Sequence, residues 1–400
     1  MSIGVAVLGS TGSVGCSTLE VLWLNREQFR VPVLAARSNV DGLLAQCLRF
    51  EPEWAALESA DAARELEQKL KSAGSRTRVA AGAAAIAELA ADAQVDYLMA
   101  AISGAAGLRS TLAAAAAGKR LLLANKESAV MAGALLMQAV DASGAELIPI
   151  DSEHNAIFQC LPASFRPGHA PDGVRRLLLT ASGGPFLHWS AEAIAAATPA
   201  QACAHPRWNM GRKISVDSAT LMNKGLELIE ASVLFGFGVQ QIEVLVHPQS
   251  IVHSLVEYHD GSVLAQLSSP DMRTPIAQAL ASPRRMSAGV EFLDLVKAAR
   301  LDFLAPDPVR FPCLRHAREA ARLGGLYCAS LNAADEVAVQ AFLDKRLNFG
   351  DIPAVIESVM ARVRGGAMSG LEAVLAADRE ARALTAELIS ARASSPRAHA

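Results

Sequence analysis

Short apolar runs alternate with longer amphipathic stretches through the first third of the chain. Ile3–Leu8, Val31–Ala36, Glu53–Leu57, Arg78–Ala80, Val95–Ile102, Arg120–Ala124 and Glu146–Ile150 each have the length of a buried strand, and Ala-rich helical segments lie between them. Strands spaced by such helices predict a parallel, doubly wound α/β sheet of Rossmann type. The pattern then changes. Val174–Ala181, Glu243–His247, Ile251–Tyr258 and Ser262–Leu267 read as a second set of strands, the last two joined by Asp260-Gly261, a hairpin signal. Ser218–Phe235 reads as one helix. Periodicity weakens from about 284 to 311, where prolines gather, and is helical beyond. The expected organisation is a Rossmann-like domain over 1–150, a central α+β domain with a mixed sheet over 151–285, and a linker over 286–311. A C-terminal α-helical domain over 312–388 and a flexible tail over 389–400 follow.

Composition narrows the function classes. A chain of 400 residues, 52% hydrophobic, buries a large multidomain core. Its formal net charge is −3 with neither sign concentrated, which gives no footprint for nucleic acid or a membrane surface and leaves room for a small anionic ligand. Six cysteines without a Cys-x-x-Cys pair read as reduced thiols. The amino terminus enters a strand directly, with no signal-peptide pattern, and no apolar run is long enough to span a bilayer. The expected location is the cytoplasm.

Candidate chemistry sits at strand ends. Gly9-Ser10-Thr11-Gly12-Ser13-Val14-Gly15 closes the first strand and opens a helix, the context in which glycines let backbone N–H groups approach a pyrophosphate. After the second strand comes Arg37-Ser38-Asn39 instead of the acid that suits NAD, so NADP(H) is expected. Asn125, Lys126 and Glu127 follow another strand and face the same crevice in such a sheet. Asp151 and Glu153 follow the strand ending at Ile150, and on extended backbone their i, i+2 spacing puts both carboxylates on one side. Two carboxylates so placed call for a hard cation such as Mg²⁺, and Glu227 is the candidate third ligand, sharing a helix face with Asn223 and Lys224. Ser182-Gly183-Gly184 suits an anion nest. Residues 205–213 combine Trp208 with Arg207, Arg212 and Lys213, a mixture that suits a lid over a phosphorylated ligand. Ser218 stands at the expected start of the next helix, where it would cap N–H groups or bind an anion.

With these pieces placed, the chain resembles the 1-deoxy-D-xylulose 5-phosphate reductoisomerase family over nearly its whole length. The resemblance rests on the glycine turn, Ala124-Asn125-Lys126-Glu127-Ser128, the run Asp151–Ile157, Ser182-Gly183-Gly184-Pro185-Phe186, the block from His205 to Glu230, and His247-Pro248-Gln249-Ser250. It implies an NADPH-dependent oxidoreductase that rearranges a phosphosugar with a divalent ion, Mg²⁺, Mn²⁺ or Co²⁺, held by Asp151, Glu153 and Glu227. It implies Lys126, Asp151, Glu153, Glu227 and His205 as the catalytic set. Ser152, Lys126, Glu153 and His205 would position the substrate, and Ser182, Ser218, Asn223 and Lys224 would take its phosphate. Trp208 and Met210 would belong to the lid. Thr11, Gly12, Ser13, Val14, Arg37, Ser38, Asn39, Asn125, Glu127 and Gly211 would contact NADPH. A homodimer follows from the same resemblance, and the paired strands from Ile251 to Leu267 would extend a sheet across its interface.

Two rival readings differ in what they require. Another NADP-dependent dehydrogenase of an anionic small molecule, such as an aspartate-semialdehyde dehydrogenase, needs a nucleophilic cysteine, and neither Cys160 nor Cys203 has a suitable base partner. A nucleotide-sensing binding protein has no use for Asp151, Glu153 and Glu227 together.

Overall fold

The structure, a computed structural model, describes residues 2–208 and 210–394. By packing, the chain divides into two compact units. The first holds the residues up to 128 together with 135–159 and 271–293, and the second holds 129–134, 160–270 and 294 onward. The segments expected to form the central and C-terminal domains thus pack largely into the second unit, while Asp151 and Glu153 belong to the first.

The first unit is built on strands β1 (Ile3–Leu8), β2 (Phe29–Arg30), β3 (Val33–Ala36), β4 (Trp54–Leu57), β5 (Arg78–Ala81), β6 (Tyr97–Ala100), β7 (Arg120–Leu123) and β8 (Leu147–Pro149). They run parallel in the order β5-β4-β3-β1-β6-β7-β8, with β2 beside the start of β1. Every strand on the main path is followed by a helix, so both faces are covered and the strands need continuous rather than alternating apolar sequence. Val5, Val7, Leu34, Leu57, Met99, Leu122 and Ile148 share one core across it. The strand expected over Val31–Ala36 begins only at Val33, because Pro32 has no N–H to give a ladder and separates β2 from β3. The chain order reverses at β1: β3 lies on one side of it and β6 on the other. Such a switch point opens the crevice in which parallel sheets take ligands.

The second unit carries a mixed sheet of β9 (Val174–Ala181), β10 (Ile242–Val246), β11 (Val252–Tyr258) and β12 (Val263–Leu267), in the order β10-β9-β11-β12. β10 is parallel to β9, and β11 is antiparallel to both β9 and β12. Leu304, in the expected linker, exchanges two backbone hydrogen bonds of 2.8 Å with Val246 and so borders β10. Helix Met222–Phe235 packs on Cys313–Leu323, and Gly225 makes the approach possible: a Cβ there would lie 2.4 Å from the Ala317 Cβ. The final helix, Leu371–Ser394, runs past the expected end at 388, so the first part of the predicted tail is helical. The rest of that tail, 395–400, lies outside the described residues.

Candidate active site

In the first unit, β1 delivers Gly9 to the carboxyl edge of the sheet and helix Ser13–Leu24 starts four residues later. Gly9 has φ +83°, and a Cβ on it would stand 2.3 Å from the Ala101 carbonyl oxygen. A Cβ on Gly15 would stand 2.3 Å from the Gly9 carbonyl oxygen. These two glycines let strand, turn and helix close on one another. Gly12 sits at the N-cap with no side-chain cap on the first turn, which leaves a helix amino terminus suited to a pyrophosphate. Thr11, Ser13 and Val14 border that turn, Ser13 exposed and the other two half-buried.

Next along the edge, Arg37 and Ser38 follow β3 and are exposed. The Arg37 side chain is 89% exposed and its Nε lies 3.4 Å from the Glu58 carboxylate, so most of its guanidinium still faces water. Asn39 caps helix Val40–Phe50, accepting from the Gly42 N–H at 2.9 Å. Asn125 likewise caps helix Lys126–Ser143: its Oδ1 accepts from Ser128 N–H at 3.1 Å, while its Nδ2 donates to the carbonyls of Ile102 and Gly104. It ties the β6 and β7 loops together. Glu127 lies half-buried in the first turn of that helix.

Lys126 and Asp151, at the carboxyl ends of neighbouring strands β7 and β8, form a largely buried ion pair. The backbone around Asp151 is not extended, contrary to the sequence reading. The chain turns immediately into helix Ser152–Cys160, whose first hydrogen bond runs from Asn155 N–H to the Asp151 carbonyl at 2.8 Å. Asp151 and Glu153 therefore stand at a helix amino terminus, where the positive end of the macrodipole favours carboxylates. Ser152 Oγ donates to Glu153 at 2.6 Å. The Asn155 side chain holds the turn from below, donating to the Pro149 carbonyl at 3.0 Å and to Gln278 at 2.7 Å. His154, fully buried, has Nδ1 3.8 Å from Asp151. Sequence reasoning gave His154 no role, although its i, i+3 spacing from Asp151 is the signal that places it there.

In the second unit, β9 runs into Ser182-Gly183-Gly184, with φ +83° and +66° at the two glycines. Ser182 Oγ lies 2.8 Å from His205 Nε2 and accepts from Gly184 N–H at 3.1 Å. His205 Nδ1 accepts from the N–H groups of Trp208 at 2.9 Å and Arg207 at 3.2 Å. An Nδ1 that accepts leaves the proton on Nε2, which donates to Ser182. Burial agrees, holding the imidazole below the usual histidine range. The Trp208 ring meets His253 edge-on at 6.3 Å between centroids, and Met210 is half-buried. Asn209 lies outside the described residues. Helix Arg212–Thr220 begins within the predicted lid, with Gly211 at its N-cap, so the loop ends at Gly211. Lys213 is not a lid cation: it pairs with Asp217 at 2.6 Å and Asp335 at 2.8 Å.

The helix expected over Ser218–Phe235 is two helices. Leu221, at φ +59°, separates Arg212–Thr220 from Met222–Phe235, with Thr220 Oγ1 accepting from Met222 N–H at 3.2 Å. Ser218 therefore ends one helix instead of starting another. It still meets the glycine turn, since a Cβ on Gly184 would lie 2.7 Å from the Ser218 carbonyl oxygen. The break puts Asn223 and Lys224 in the first turn of the next helix. Both side chains donate to Glu227, which is 1% exposed, so one buried carboxylate is held by an amide and an ammonium.

A doubly wound sheet with an uncapped glycine turn and a cation after β3, carrying a lysine and two carboxylates on the same edge, defines a dinucleotide-dependent oxidoreductase. Three family models match: 1-deoxy-D-xylulose 5-phosphate reductoisomerase over residues 5–133, that enzyme's C-terminal domain over 147–235, and the DXP reductoisomerase C-terminal domain over 267–384. The chain is 57% identical to the 1-deoxy-D-xylulose 5-phosphate reductoisomerase of Pseudomonas syringae pv. syringae, an alignment covering 96% of this chain and 97% of that one. It is 56% identical to that of Aromatoleum aromaticum, over 98% and 97% of the two chains. Among solved structures, the Zymomonas mobilis reductoisomerase in complex with NADPH superposes with a TM-score of 0.91 at 48% identity, covering 97% of this chain and 99% of that one. A DOX-P reductoisomerase in complex with NADPH, fosmidomycin and magnesium gives 0.92 at 46% identity, covering 98% and 99%. The chain belongs to the 1-deoxy-D-xylulose 5-phosphate reductoisomerase family.

Proposed function

We propose that the chain rearranges 1-deoxy-D-xylulose 5-phosphate to 2-C-methyl-D-erythrose 4-phosphate and reduces that aldehyde with NADPH to 2-C-methyl-D-erythritol 4-phosphate, a step of isoprenoid precursor biosynthesis. The observation that carries this reading is the edge of one parallel sheet, which bears an uncapped glycine turn after β1, Lys126 after β7, and Asp151 and Glu153 after β8.

Asp151, Glu153 and Glu227 offer only carboxylate oxygens, the donor set a hard divalent ion takes, and we assign the ion to them. When bound, the ion stabilises negative charge on the substrate's carbonyl and hydroxyl oxygens, and NADPH supplies the hydride. Lys126, paired with Asp151, donates to the substrate oxygens between which charge shifts as the carbon skeleton rearranges. Ser152 and Glu153 orient the substrate, and the His205 Nε2–H donates towards it or to Ser182. Ser182, Ser218, Asn223 and Lys224 grip the phosphate. That group lies away from the reacting carbons, so its binding energy serves orientation and lid closure. Trp208 and Met210 close over the site and exclude water. Thr11, Gly12, Ser13, Val14, Arg37, Ser38, Glu127 and Gly211 contact NADPH. Asn39 and Asn125 do so chiefly by ordering their loops, since their side chains already cap helices.

The partner is this small phosphosugar and a second copy of the chain. No helix among the described residues is long and apolar enough to cross a membrane. Six cysteines without a disulfide suit a reducing compartment, and we place the protein in the cytoplasm.

The test follows NADPH absorbance on mixing the protein with 1-deoxy-D-xylulose 5-phosphate and Mg²⁺, repeated with the metal chelated and with Glu227→Gln. Substrate-dependent oxidation that chelation abolishes, and that Glu227→Gln lowers by about a hundredfold or more with unchanged circular dichroism, is expected. Absence of oxidation by folded protein with any of the three ions would refute the assignment.

A further inference from the structure

Beyond the groups assigned to substrate, one charged cluster in the second unit lies among the most buried polar atoms of the chain. Lys213, on helix Arg212–Thr220, places its ammonium 2.6 Å from Asp217 one turn along and 2.8 Å from Asp335 on helix Tyr327–Leu343. Asp335 is fully buried and Asp217 nearly so. Burial and the Asp335 carboxylate push the Asp217 acid well above the usual carboxylate range, against the pull of Lys213. Cys313, whose thiol burial and these two carboxylates push up, completes the surroundings. Ion pairs this deep are weak sources of stability, because desolvation offsets the attraction, but they fix geometry and punish the loss of one partner.

The place of the cluster gives it a use. One helix carries Gly211, where the lid loop ends, at its amino end, and Ser218, assigned to the phosphate grip, in its last turn. That helix is only nine residues long, with no side-chain cap and a left-handed break directly after it, so its rotation is set by packing of the buried run Ser215–Thr220 together with the Lys213 clamp. Asp335 is the anchor on a separate and longer helix.

We propose that Lys213 and Asp335 are positioning residues: by clamping Lys213 between Asp217 and Asp335, the protein sets the rotation of the Arg212–Thr220 helix and thereby the aim of Ser218 and the closing point of the lid. The inference rests on the assignment of Ser218 to the phosphate. It predicts a selective effect on anion binding.

The test compares the full-length wild-type protein with Asp335→Asn, which keeps shape while leaving Lys213 paired one to one with Asp217. Lys213→Arg, which retains the cation, is the rescue variant. Inorganic phosphate binding is read by titration calorimetry, and steady-state KM is measured separately for 1-deoxy-D-xylulose 5-phosphate and for NADPH. Asp335→Asn is expected to weaken phosphate binding and raise the sugar-phosphate KM by about tenfold each, with NADPH KM changed less than about twofold and Lys213→Arg near wild type. A brace with no positioning role would lower the unfolding midpoint of Asp335→Asn and leave phosphate affinity and the KM pair unmoved, which overturns the proposal. Gly211 is the only one of the residues assigned to NADPH that borders this helix, so an NADPH KM raised as far as the sugar-phosphate KM overturns the proposal, as does a wild type that takes no phosphate. Phosphate titration needs no turnover, so an inactive wild type would refute the assigned reaction and still leave the clamp to be read.

Discussion

His205 shows how one side chain's protonation state is written in its neighbours. Its Nδ1 accepts two N–H groups from the lid loop, which a protonated ring, with a donor at both nitrogens, cannot do. Burial lowers its pKa, so the folded state takes up this proton less readily than the unfolded chain, whose histidine titrates at about 6.5. The sign follows: the stabilisation is complete above that value and is lost as pH falls through the lower folded pKa. In NMR titrations assigned with a His205→Asn variant, the His205 ring protons should shift with a midpoint below about 6.5, and the Trp208 amide should move with the same midpoint. A midpoint at or above the free value would contradict the network. The residue types at this site were legible in the sequence, because glycines, paired acids and a lysine at strand ends have few other reasons to be there. The partners were not. Nothing in the local sequence ties Lys213 to Asp335, or Asn155 to Gln278, since both contacts come from distant parts of the chain brought together by packing.

At the level of elements, the strands of the first sheet stood out because buried parallel strands need unbroken apolar runs, and the β11–β12 hairpin stood out through its Asp260-Gly261 turn. Two elements were misread for definite reasons. The turn at Asp151 was taken as extended because a helix beginning with Ser-Glu-His-Asn has no apolar periodicity in its first turn. The break at Leu221 carries neither glycine nor proline, and a leucine at positive φ is tolerated only because surrounding packing enforces it. Gly225 tests such packing directly. Alanine favours a helix by about 1 kcal/mol over glycine, yet its Cβ would overlap the Ala317 Cβ and force the two helices apart. We expect Gly225→Ala to destabilise by about 1–2 kcal/mol net in urea unfolding, overpacking outweighing propensity. Combined with Ala317→Gly, the loss should shrink, giving a coupling of at least about 0.5 kcal/mol. Strictly additive effects would mean that the two residues do not meet.

For the whole molecule, the sequence could not reveal that compact units are assembled from discontinuous segments, because hydrophobic periodicity reports faces and not which faces meet. It did mark the β11–β12 hairpin as a candidate for self-association, and the exposure pattern now gives that idea a physical basis. Val263, Leu264 and Ala265 are consecutive in β12 and all exposed, the first two at 48% and 49%. Successive strand residues point to opposite faces, so both faces of this segment lack cover, and β12 is also the outer strand of its sheet. Soluble proteins usually protect such an edge with lysine, proline or a bulge, yet Val263-Leu264-Ala265-Gln266-Leu267 contains no charge and no proline. A second copy pairing across or packing upon β12 would supply the missing cover, in keeping with the twofold assemblies that identical chains favour. Sedimentation velocity of the wild-type protein should then give a dimer. A Leu264→Lys, Val263→Glu double variant should sediment as a monomer with an unchanged far-ultraviolet spectrum, because charges on an exposed edge break association without touching the core. A monomeric wild type would remove the dimer, and a dimeric double variant would move its interface away from this strand.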